Sequence, residues 1–117
     1  MFKVTRNYIS NKFDEFNRDL FNGEIRKTHL VVGNNECFLG QFRPKTWTIE
    51  ISKYWERTEA QYLNTLLHEM AHVYVRQKYG HLVMPHGDEW KSVVEVIGKK
   101  TNAVYGAITE KETKISK

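Results

Sequence analysis

Residues His68, Glu69, Met70, Ala71 and His72 spell an H-E-x-x-H motif. Histidines four apart on a helix are separated by about 40° around its axis, so both imidazoles leave one face and can meet at a single metal ion. Glu69, beside the first histidine, can reach a water held at that metal without being a ligand. Zinc suits the set, because imidazole nitrogens bind it well and a catalytic zinc keeps one position open. Zinc brings the pKa of such a water down to about 7, and a neighbouring carboxylate can take the proton as the water attacks a carbonyl. With 5 histidines among 117 residues, composition alone predicts only roughly 0.02 chance occurrences of the motif. Two imidazoles and a carboxylate on an apolar helix are also costly unless a metal or hydrogen bonds satisfy them. One bound Zn2+ is the expectation.

Such a site needs a third ligand. A metzincin would continue with Gly at position 75 and His at 78, but the chain has Val75 and Lys78. The remaining candidates are His81, His86, Glu89 and Glu95. His86 lies between Pro85 and Gly87, where a short loop can turn back toward the motif helix, and geometry favours it. His81 follows directly on the helix-ending Gly80, and Glu95 would make a gluzincin-like site.

The elements that must position these groups are legible in the pattern. Ile9, Phe13, Phe16 and Leu20 recur at steps of four, three and four, which predicts a helix from near Thr5 to the Asn22-Gly23 stop. The runs 29–32, 38–43 and 47–51 are short and β-branched or aromatic. Gly33-Asn34-Asn35 and Pro44-Lys45 separate them as turn signals, which predicts a three-stranded antiparallel meander. Trp47, Ile49 and Ile51 alternate with Thr48 and Glu50, the pattern of a strand with one buried face. The motif helix opens on a capping box, Thr58 to Gln61, and runs without Pro or Gly to Gly80. Leu63 to Val75 is so apolar that the helix must be buried on most sides. A last helix, with Asp88 as its N-cap, carries Trp90, Val93, Val94 and Ile97 at helical spacing and should stop at Gly98.

Composition narrows the class further. At 117 residues with 40% hydrophobic and 27% charged, the chain fits one globular domain, with a core over 1–105 and a polar tail over 106–117. No apolar run has the roughly 18 residues of a membrane span, and the opening residues lack the apolar stretch of a signal peptide. A cytoplasmic location without membrane attachment is expected. Cys37 stands alone, which rules out an intramolecular disulfide and predicts a small buried strand residue. The +4 charge is dispersed, so contact with single-stranded DNA should be weak and salt-dependent. Lys53-Tyr54-Trp55 and Arg76-Gln77-Lys78-Tyr79 are its best stacking platforms.

The chain resembles a known family. Phe16-Asn17, the run Leu20 to Ile25, Leu67 to His72, and His86-Gly87-Asp88-Glu89-Trp90 together look like the SprT-like metallopeptidase domain. The resemblance covers about residues 5–98, and its most specific part pairs H-E-M-A-H with the later H-G-x-x-W segment. It implies a zincin-like α+β fold in which His68, His72 and His86 bind zinc and Glu69 is the catalytic base. It also implies hydrolysis of protein substrates, as in the Spartan proteases, which degrade proteins crosslinked to DNA. Many members carry a C-terminal zinc ribbon with paired cysteines; this sequence has none, so a bare protease core is expected.

Several residues have plainer readings. Trp90 should pack the last helix, and His29 and His81 should be ordinary. Tyr74, Arg76 and Tyr79 could stabilise an oxyanion, but nothing chooses among them. Phe38, Phe42 and Trp47 fit a core better than a substrate groove. Two rivals stand beside the peptidase reading. One is a nucleic-acid-associated module with a structural zinc, which has no need of a base beside its metal; the other is a gluzincin-type peptidase using Glu95.

Overall fold

The computed structural model describes residues 2–80 and 87–101, in the order helix, three strands, two helices. Helix α1 (Arg6–Leu20) starts where the Thr5 hydroxyl accepts the Tyr8 N–H at 3.1 Å. Its stripe of Ile9, Phe13 and Phe16 is buried. It ends as the sequence predicts: Asn22 and Gly23 take φ of 55° and 73°, and the Gly23 N–H returns to the Asn17 carbonyl at 2.8 Å. Asn17, which lies off the apolar stripe, proves to be a clamp. Its side chain accepts the Ile25 N–H at 3.0 Å and donates to the Ile25 carbonyl at 2.9 Å. The pair fixes the turn and seats Ile25 in the core.

Strands β1 (His29–Gly33), β2 (Gly40–Arg43) and β3 (Thr48–Ser52) form a mixed sheet in the order β1-β3-β2. The α+β class and the three strands match expectation; the antiparallel meander does not. β2 and β3 pair antiparallel, but β1 pairs parallel with β3, His29 opposite Thr48 and Gly33 opposite Ser52. The cause lies in residues 34–39. The Asn35 carbonyl accepts the Ser52 hydroxyl, and the Leu39 carbonyl accepts the Ser52 N–H at 2.9 Å. The connection therefore passes the end of β3 instead of reversing beside β1, and leaves room for β3 between its neighbours. β3 is the strand best suited to the centre, with Thr48, Ile49, Ile51 and Ser52 all buried.

Two residues expected in strands lie in turns. Cys37 is exposed, because the Asn35 side chain accepts the Cys37 N–H at 2.7 Å and turns the chain locally; Phe38 is buried instead. Trp47 sits at φ 53° before β3. Its indole N–H donates to the Arg26 carbonyl at 3.1 Å, and the Arg26 guanidinium covers the ring at 4.0 Å.

Helix α2 (Glu59–Tyr79) has both halves of the predicted capping box. The Thr58 hydroxyl accepts the Gln61 N–H at 3.2 Å, and the Gln61 side chain accepts the Thr58 N–H at 2.8 Å. Gly80, at φ 76°, is its C-cap. α2 packs against α1, α3, β2 and β3 and is the axis of the core. Helix α3 (Asp88–Thr101) starts one residue earlier than expected: the Lys91 N–H bonds the Gly87 carbonyl at 2.9 Å, so Asp88 is the first helical residue, not the cap. Its carboxylate there suits the positive end of the helix. The helix also continues through Gly98, since one glycine costs only about 1 kcal/mol against the bonds on either side. No helix among the described residues is long and apolar enough to cross a membrane.

The Asn17 clamp is testable by chemical unfolding. Asn17→Ala leaves both main-chain groups of Ile25 without this partner and should lower stability by about 1–3 kcal/mol. Asn17→Asp keeps the acceptor and loses the donor, and should fall between.

Candidate metal centre

The middle of α2 brings His68, Glu69 and His72 to one place. One donor atom from each lies within 4.8 Å of the others, a grouping able to hold a metal ion among the described residues. The Nε2 atoms of His68 and His72 are 3.2 Å apart. Tetrahedral zinc with Zn–N bonds of 2.0–2.1 Å holds two nitrogens about 3.3 Å apart. The imidazole pair thus fits the ion. Glu69 stands to one side, its Oε2 3.8 Å from His68 Nε2.

The surroundings determine what this cluster can do. His68 and Glu69 are 1% and 0% exposed, whereas His72 is half-buried. Approach from solvent is therefore from the His72 side. Burial favours a metal reading on energetic grounds, since a carboxylate withdrawn from water needs a compensating positive charge or strong donors.

Trp90 from α3 forms the wall behind the histidines. Its ring stacks on His72 at 5.4 Å with planes 24° apart and meets His68 edge-on at 4.9 Å. Its indole N–H also lies 3.5 Å from the His68 carbonyl. With Trp90 only 2% exposed, two imidazoles lose much of their freedom to turn. The expectation that Trp90 packs α3 holds, and the surface it packs on is the pair of motif histidines.

A second wall comes from the sheet. Gly40, at the start of β2, lies against Thr65 and Glu69. Thr65 is buried, and its hydroxyl accepts from Arg57 at 2.8 Å. Arg57 is itself buried and faces the Tyr62 ring at 5.5 Å. Burial raises the Tyr62 phenol's pKa, an effect the Arg57 charge partly offsets. Gly40, Thr65 and Arg57 were not legible as site residues. A glycine, a helical threonine and an isolated arginine carry no periodic or motif signal.

The other sequence candidates divide as follows. His81 and His86 lie outside the described residues. Glu95 is exposed, and neither it nor Glu89 belongs to the metal-capable group. Glu89 instead borders a cavity of about 260 Å³ with Phe21, Tyr74, Lys78 and Ile97. Tyr74 packs on Phe21 at 5.7 Å. Its hydroxyl lies 3.5 Å from the Lys78 ammonium, a contact that raises the lysine pKa. His29 is an exposed residue of β1.

The chain is similar to known proteins. The model of the SprT-like family matches residues 9–113. Protein SprT from Pseudomonas fluorescens strain Pf-5 is 39% identical over 79 residues, which is 68% of this chain and 44% of that protein. Protein SprT from strain Pf0-1 matches to the same extent. The chain thus spans under half the length of these relatives. The crystal structure of the metallopeptidase zymogen of Pyrococcus abyssi abylysin has the same fold, with a TM-score of 0.50 at 19% identity over 79% of this chain and 93% of that one.

Metal binding can be measured directly. The purified chain should take up close to one Zn2+, and His68→Ala or His72→Ala should weaken that binding by about 100-fold or more in a chelator competition. Lys78→Ala, on a different contact surface, should leave it unchanged.

Proposed function

The chain belongs to the SprT-like family, and from that membership we propose that it is a zinc-dependent metallopeptidase hydrolysing peptide bonds in protein substrates. The observation that carries this reading is the close pair of imidazole nitrogens, 3.2 Å apart, with the fully buried Glu69 carboxylate beside them. A structural zinc site has no use for an unligated carboxylate at that position; a hydrolase does.

In this reading His68 and His72 hold the ion, with His86 as the third ligand on the strength of the family motif. Bound there, zinc supplies a Lewis acid for the scissile carbonyl and acidifies water. Glu69 is the general base. Its carboxylate takes a proton from the attacking water as the new C–O bond forms, then delivers it to the amine nitrogen as the C–N bond breaks. Trp90 keeps both imidazoles in one orientation. Among the described residues β2 pairs only with β3, which leaves an outer edge where an extended peptide can add as a further strand. The half-buried flank of His72 then faces the bond to be cut.

The substrates we propose are DNA-associated proteins, including proteins crosslinked to DNA, within the cytoplasm. The support is the family and a net charge of +4. Tyr54 is 53% exposed, and its ring meets Trp55 edge-on at 5.0 Å. Exposed Lys53 precedes them, giving a small platform on which a base could stack. Affinity for single-stranded DNA through so few charges should be weak and should fall with salt.

The decisive test is Glu69→Gln, which preserves shape but cannot take the proton. It should retain zinc and lose cleavage of a protein substrate by about 100-fold or more. His86→Ala should release zinc far more readily than His81→Ala. Cleavage by Glu69→Gln within a few-fold of wild type would remove the base. Inactivity of the zinc-loaded wild type, with and without single-stranded DNA, would favour a binding module with a structural metal.

A further inference from the structure

Gly40 is buried, and its backbone φ is not in the left-handed region, since only Gly23 and Gly80 take positive values among the described glycines. Conformation therefore does not demand glycine there. Space does. A Cβ on Gly40 would stand 2.6 Å from the Thr65 Cγ2 and 3.3 Å from both Cγ and Oε2 of Glu69. Carbon atoms in favourable contact sit roughly 3.5–4.0 Å apart, so the first distance is a clash and the other two are compressions.

Neither side of this contact can easily move away. β2 is held in register on β3, with Gly40 opposite Ile51 and the Ser52 N–H on the neighbouring Leu39 carbonyl at 2.9 Å. Thr65 is 2% exposed. Its hydroxyl donates to the Gln61 carbonyl at 3.2 Å while accepting from Arg57 at 2.8 Å. These two bonds fix the threonine's rotamer and therefore aim its methyl at the strand. Glu69 lies one helical turn further along the same face of α2, with its side chain against the same bare Cα.

We propose that Gly40 is a positioning residue for Glu69, which rests on the peptidase reading above. The missing side chain lets the edge strand lie directly on the carboxylate arm, and the strand backbone limits how far that arm can swing from His68. The Arg57–Thr65 hydrogen bond holds the helix side of the same contact.

Gly40→Ala alone should melt below wild type because of the Thr65 clash, so it cannot separate folding from positioning. Thr65→Ser removes the clashing methyl and keeps the hydroxyl that meets Arg57. In the double variant G40A/T65S only the pressure on Glu69 remains. It should melt close to T65S and bind zinc with unchanged affinity. Its kcat should fall about tenfold or more, with little change in KM, because a small displacement of a catalytic group is costly. A crystal structure of the zinc-loaded double variant should show the Glu69 carboxylate displaced from its place in T65S. A carboxylate in the same place, or kcat equal to that of T65S, would overturn the proposal. If the wild type itself proves inactive while the carboxylate still moves, the positioning role stands and the peptidase reading fails.

Discussion

The structure turns on a carboxylate and an imidazole buried side by side in the middle of one helix. Glu69 and His68 are almost completely withdrawn from water, and an uncompensated charge there would cost several kcal/mol. Everything packed around α2 answers that constraint. The histidine pair is arranged so that a cation can share it, Trp90 seals the α3 side, and the β2 backbone seals the other. A low-dielectric environment then strengthens the electrostatic interactions among these groups.

The mixed sheet serves the same end. Placing β3 at the centre buries the strand richest in isoleucine and leaves β2 at the edge next to α2. An edge strand is ordinarily a liability, because its unpaired groups invite other chains. Here the short β2, only four residues, ends in Arg43, whose guanidinium bonds Glu50 at 3.0 Å and Gln41 at 3.0 Å. That edge is narrow and polar, which discourages permanent association with another chain.

The stabilising devices far from the centre are local and economical. Asn17 closes the turn after α1 with two hydrogen bonds, and the Thr58–Gln61 box closes the start of α2. Tyr8, in the first turn of α1, donates to the Glu59 carboxylate at the start of α2. Anchoring the first turn of α2 to α1 fixes the register of the whole helix, and with it the depth at which His68 and Glu69 sit. A domain with a single modest core depends on such caps more than a large one does.

Much of this was written in the sequence because it depends on short-range periodicity. The stripe Ile9-Phe13-Phe16, the capping box, the Gly80 stop and the convergence of His68 and His72 all follow from 3.6 residues per turn. They need no knowledge of what lies across the core. Strand order was not legible, since Gly33-Asn34-Asn35 signals a turn but does not say whether the chain reverses beside β1 or passes the end of β3; hydrogen bonds from Ser52, a residue 17 positions beyond Asn35, decide that. Cys37 and Trp47 were misplaced for the same reason, as turn geometry there overrides β propensity. Only the tertiary structure could reveal the need for Gly40, the role of Arg57 behind Thr65, and the stacking of Trp90 on His72. Each is a contact made across the packed core or back onto α2 from outside it, and such packing leaves no period in the chain for a reader to find.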